Sequence, residues 1–167
     1  MKKGLPEEQL IKQLKEAITG EEVAGKFYKY LSKYILKRDM RNEFEKMAYE
    51  EAVWHKNLLN GRLIEIIGHT YEPNISKLDI EVEVNKFSLV DAFIMAKDAE
   101  SMAVEFYKLA KNQDKSQHRK MYDNLIQDEK RHWKYLDKER KSIQEKIEYS
   151  DINALKLFSF IKDFVGK

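Results

Sequence analysis

Two segments of the chain carry the same residues at the same offsets: Glu21-x-x-Ala24-x-x-Phe27-Tyr28 and Glu100-x-x-Ala103-x-x-Phe106-Tyr107. Each glutamate interrupts an apolar series whose steps alternate four and three. One series is Leu10, Leu14, Ala17, Glu21, Ala24, Tyr28, Leu31 and Ile35; the other is Leu89, Phe93, Ala96, Glu100, Ala103, Tyr107 and Ala110. On helices of that period both carboxylates lie on a stripe that faces a core. Two more glutamates follow thirty and twenty-nine residues later, and Ala48, Glu51 and Leu58 align with Ile126, Glu129 and Leu136. The sequence therefore reads as one helical hairpin written twice.

Any one of these glutamates, taken alone, reads as a surface residue on a charge-rich helix or a paired core charge. Four at one level of a core are different. Unpaired, each would cost several kcal/mol to bury, on the order of the penalty for any isolated ion, and no Lys or Arg shares their stripe positions. Metal cations are the natural counter-charge, and two are needed to balance four carboxylates. Glu129-Lys130-Arg131-His132 places an imidazole three residues after a carboxylate, on the same helix face. Carboxylate oxygens with imidazole nitrogen suit iron, manganese or zinc.

The other hairpin departs from this spacing. Trp54 stands three residues after Glu51, and the histidine, His55, stands four after it. In a regular helix a residue four on lies about 40° to one side, and one three on lies about 60° to the other. His55 is thus a ligand reaching the site from another angle, or a packed or surface histidine; the spacing leaves both open. His69, beside Gly68, and His118, at a helix start, read as solvated, and Trp54 and Trp133 as core or interface residues.

Helices must hold these residues at one level. Only Pro6 and Pro73 break an otherwise helical pattern. Helix 1 is expected from Pro6, with Glu7 and Glu8 in its first turn, to about Leu36. Asp39 is placed to cap helix 2, which stops at Gly68. The pattern lapses from His69 to Phe87, where Ile80–Val84 alternates like a short extended piece, and this stretch makes a long crossover. Ser88-Leu89-Val90-Asp91 opens helix 3 as a capping box; Ser116 caps helix 4, which runs to about Tyr149. Residues 1–149 thus form an all-α antiparallel four-helix bundle. Residues 150–167 form a short C-terminal fifth helix whose Ile152, Leu155, Phe158, Ile161 and Val165 seek a packing partner.

Composition sets further bounds. Thirty-one Lys and Arg nearly cancel 29 Asp and Glu, which gives no field to attract nucleic acid or an anionic membrane. Without cysteine the chain supplies no disulfide, thiolate zinc site or iron–sulfur centre. The charged start lacks the apolar core of a secretory signal, and no stretch has the roughly 20 apolar residues of a membrane span, so a cytoplasmic protein is expected.

The repeated carboxylate hairpins resemble the rubrerythrin branch of the ferritin-like superfamily over about residues 10 to 140. Its bundle takes a Glu from each of two helices and a Glu-x-x-His from each of the other two. The resemblance implies Glu21 and Glu100 as terminal carboxylates, Glu51 and Glu129 as metal-bridging ones, and His132, with His55 in the irregular place, as imidazole ligands of two iron ions. It implies Tyr28 and Tyr107 as tyrosines that hydrogen-bond the ligand carboxylates. Rubrerythrins proper carry a further glutamate where this chain has Ala103, and a cysteine-bearing rubredoxin-like domain for which it has no residues.

By resemblance, the expected activity is reduction of peroxide or dioxygen at a di-iron centre, with electrons from an external donor such as a rubredoxin. The alternatives are ferroxidase or iron handling, and a non-catalytic helical interaction protein with a degenerate site. The apolar stripe of the last helix and the family's habit of pairing bundles point to a homodimer.

Overall fold

The computed structural model describes residues 7–76, 88–114 and 117–149, the side chains of 145–149 excepted. All its regular elements are helical: α1 (Glu7–Tyr34), α2 (Arg38–Tyr49), a π-helical segment (Glu50–His55), α3 (Lys56–Ile67), α4 (Leu89–Gln113) and α5 (Arg119–Tyr149). The residues flanking the π segment keep right-handed helical torsions, so α2, the π segment and α3 form one continuous arm. That arm pairs with α1, and α4 pairs with α5.

Local signals account for several ends. Ser88 accepts from the Asp91 amide at 3.1 Å while Asp91 accepts from the Ser88 amide at 3.2 Å, the capping box expected from sequence. Gly68 closes α3 in the left-handed region, φ 79°, where its lack of a Cβ removes the penalty. Asp39 does not cap: the N-cap is Lys37, without a side-chain bond, and Asp39 lies in the first turn, where its charge still favours the dipole. The expected features at Ser116, Ile80–Val84 and 150–167 fall outside the described residues.

Two apolar clusters fill the bundle. One joins Tyr28, Leu31 and Ile35 to Phe44, Met47, Phe93, Ala96 and Leu136; the other joins Leu10, Leu14 and Ile18 to Leu59, Leu63, Val104, Tyr107, Tyr122 and Leu125. In each helix the two sets are separated along the chain by the buried polar residues Glu21, Glu51 with His55, Glu100, and Glu129 with His132. The core is thus two greasy halves with one polar layer between them.

Membership of the clusters also fixes direction. The end of the arm packs where α1 begins, while α4 begins beside the end of α1. The arm therefore ends at one end of the bundle and α4 begins at the other. Among the described residues no helix is long and apolar enough to cross a membrane.

Candidate metal centre

The four helical arms bring Glu21, Glu51, His55, Glu100, Glu129 and His132 together. The glutamates are 5%, 2%, 4% and 1% exposed in that order of position, and both histidines are fully buried. Their donor atoms form two groups, each within 4.8 Å: Glu21, Glu51, His55 and Glu129, and Glu51, Glu100, Glu129 and His132. Glu51 and Glu129 belong to both.

His55 joins the cluster because the helix changes pitch beneath it. The Lys56 amide reaches back to the Glu51 carbonyl, five residues earlier, which is the π pattern. One extra residue is absorbed between Glu51 and His55, so a spacing of four does there what a spacing of three does between Glu129 and His132. The sequence alignment of Leu58 with Leu136 is corrected accordingly. After the π segment the register is one residue later, and Leu59, four beyond His55, is fully buried, as is Leu136, four beyond His132. Leu58 is only half-buried. A helix of uniform pitch, assumed for the sequence, cannot reveal this shift.

Both imidazoles turn Nδ1 inward. His55 Nδ1 lies 3.3 Å from Glu21, 3.1 Å from Glu51 and 3.3 Å from Glu129. His132 Nδ1 lies 2.7 Å from Glu51, 3.3 Å from Glu129 and 3.7 Å from Glu100. In each of the two shared glutamates, Glu51 and Glu129, one oxygen faces one histidine and the second oxygen faces the other.

The outward nitrogens meet carboxylates that the sequence reading passed over. His132 Nε2 lies 3.0 Å from Glu50, and His55 Nε2 lies 3.3 Å from Asp128. Each acid immediately precedes the shared glutamate of the opposite hairpin, Glu51 or Glu129. The paired acids Glu50-Glu51 and Asp128-Glu129 were the available signal, and their first members were lost among many surface charges. Arg131 holds Glu50 at 2.5 Å and Glu43 at 3.1 Å.

Tyr28 donates to Glu100 and Tyr107 donates to Glu21, so each tyrosine serves the other hairpin. Burial, then the nearby carboxylate charges, raises both phenols and keeps them protonated donors. Burial also raises the Glu51 and Glu100 carboxyls; Glu21's charge adds to Glu51, while His132 opposes the rise at Glu100. Burial pulls both imidazoles down, but the ring of carboxylates outweighs it and leaves them far more basic than an ordinary histidine. Outside the core, burial of Glu50 is overcome by His132 and Arg131, which bring it to about 2, and His55 lowers Asp128.

Protein partners alone leave the centre unsatisfied. Despite the short separations, Glu51 Oε1, both Glu129 carboxylate oxygens and His132 Nδ1 have no aligned hydrogen bond. Four buried carboxylates that converge on two imidazole nitrogens fit a cation pair, whose charge would offset them. The oxygen-rich, imidazole-bearing donor set suits iron, manganese or zinc.

The remaining singled-out residues lie elsewhere. His69 is exposed and touches the Thr70 carbonyl at 2.9 Å; His118 is half-buried, 2.6 Å from Glu65. Trp54 is exposed, whereas Trp133 lies under the Lys97 ammonium.

Comparison with known proteins agrees with the fold. Among solved structures, the bacterioferritin-related protein from Bacteroides fragilis, described as a dodecameric thioferritin, superposes with a TM-score of 0.68 at 18% identity, covering 90% of this chain and 94% of that one. At that identity the likeness establishes the ferritin-like fold. No curated protein matches significantly in sequence. The family model for rubrerythrin matches residues 12–140, which hold both hairpins and every residue of the polar layer. The chain belongs to the rubrerythrin family of ferritin-like proteins, whose general work is iron handling or di-iron oxidation and reduction.

Proposed function

We propose that the chain is a di-iron carboxylate oxidoreductase of rubrerythrin type. Glu51 and Glu129, common to both halves, would hold two metal ions together with Glu21 and His55 on one side and Glu100 and His132 on the other. The observation that carries this reading is the pair of donor groups sharing Glu51 and Glu129. When bound, a pair of iron ions supplies two-electron redox chemistry and a clamp for the two oxygens of peroxide or dioxygen.

The protein groups have distinct tasks. Glu50 and Asp128 accept from Nε2–H of His132 and His55, which leaves each Nδ1 lone pair pointing inward. Tyr28 and Tyr107 fix the terminal carboxylates while staying protonated. The apolar clusters on either side keep bulk water from the layer. Electrons come from an external donor such as a rubredoxin.

Ferroxidase or iron handling is the second reading. It is favoured by Ala103, which offers no extra carboxylate and leaves the two halves with matched donors. Stopped-flow oxidation of the reduced, iron-loaded protein separates them: faster oxidation by peroxide supports the peroxidase, and much faster oxidation by dioxygen supports the ferroxidase.

A homodimer is the proposed assembly. Met95, Met102 and Leu109 recur every seven residues along α4 and are exposed, an apolar line suited to a second copy. Light scattering tests this, and a monomer contradicts it. A dodecamer, the state named for the Bacteroides fragilis protein, would replace the dimer with a larger shell.

A further inference from the structure

Gly25 lies one turn beyond Glu21, buried, with ordinary helical torsions. Its value is therefore space and not backbone freedom. A Cβ at Gly25 would stand 2.5 Å from the Ala52 Cβ, 2.9 Å from the Ala52 nitrogen and 3.0 Å from the Ala48 carbonyl oxygen. Two of those three atoms are backbone and cannot swing aside. Ala52 lies in the π segment, directly after Glu51. Gly20, on the same helix, has nothing within 4 Å of such a Cβ. In the second hairpin the position equivalent to Gly25 is Val104, which faces a helix without the extra residue.

We propose that Gly25 is a positioning residue: it accommodates the residue inserted at Ala52, and so permits the π turn that carries His55 into the half-site of Glu21, Glu51 and Glu129. A side chain at Gly25 pushes the arm away at Ala48–Ala52, immediately before His55, and the cost falls on one half of the centre. The half containing Glu100 and His132 takes Glu100, Glu129 and His132 from α4 and α5 and only the shared Glu51 from the arm, so it is affected less. This inference rests on the reading of the polar layer as a metal centre.

Deletion of Ala52 provides the internal check. It restores a three-residue Glu-to-His spacing like that of Glu129 and His132, removes the two Ala52 atoms nearest a Cβ at Gly25, and leaves the following helix in register. With Co(II) as the probe, the unaltered chain is expected to bind about two ions, Gly25→Ala about one, and Gly25→Ala with Ala52 deleted about two again. Gly25→Ala binding both ions as tightly as the unaltered chain, or a loss that deletion of Ala52 fails to restore, would overturn the proposal. Should Gly25→Ala fail to fold, the Ala52-deleted chain is compared with and without Gly25→Ala: equal binding of about two ions supports it, and selective loss of one overturns it. An unaltered chain that binds no Co(II) removes the metal reading itself and this inference with it.

Discussion

The Tyr28 hydroxyl shares a helix with Glu21 yet donates to Glu100, a carboxylate of the opposite hairpin. Tyr107 returns the arrangement by donating to Glu21. These crossed bonds tie the two halves of the bundle together at the polar layer, where apolar packing is interrupted. Tyr28→Phe leaves a Glu100 oxygen without its donor. It is expected to cost about 1–3 kcal/mol in the metal-free protein and about 10–100-fold in affinity for one metal. Urea unfolding and chelator competition measure the two effects; an unchanged affinity would mean that Tyr28 only packs.

The acids behind the histidines make a directional prediction. Glu50→Gln should weaken the half containing His132, and Asp128→Asn the half containing His55, each by about 10–100-fold in metal affinity. Stepwise chelator titration of each variant resolves the weakened site. Both variants weakening the same half would refute the crossed pairing.

Register after the π segment is testable by core truncation. Leu59→Ala should cost about 2–5 kcal/mol, as expected for a fully buried leucine, while Leu58→Ala, half-buried, costs clearly less. Equal losses in chemical denaturation would return the register to that of a uniform helix.

The pH dependence follows from the raised groups. Glu51 and Glu100 lie above their ordinary 4.5, and His55 and His132 above 6.5. A group raised on folding stabilises fully below its unfolded value, and that contribution is lost as pH climbs toward the folded one. All four groups act in this sense, so the melting temperature of metal-free protein should fall as pH rises from about 5 to about 9. Lowered Glu50 and Asp128 act oppositely, but only in more acid solution, as pH falls through their values. Metal binding displaces these protons, so affinity should rise over the same range. A melting temperature that climbs with pH in metal-free protein would contradict the assignment.

Much of this arrangement was legible in the residues. The alternating stripes placed Glu21 and Glu100 inside the bundle because period alone decides which face is buried. Ser88 with Asp91 and the terminal Gly68 announced their helix ends through local chemistry that tertiary contacts did not override. His55 was ambiguous for a physical reason: spacing converts to angle only if the pitch is known, and the π turn depends on a contact between Gly25 and Ala52 that is distant in sequence. Glu50 and Asp128 escaped notice because their role lies in facing the other hairpin's histidine.

The most direct test is metal content. Protein purified and reconstituted with Fe(II) should hold about two metal ions per chain, and replacing both Glu51 and Glu129 with Ala should abolish binding while the bundle remains helical. A fully folded unaltered protein that takes up no metal would contradict the account and leave the layer of Glu21, Glu51, Glu100 and Glu129 as a polar core without a centre.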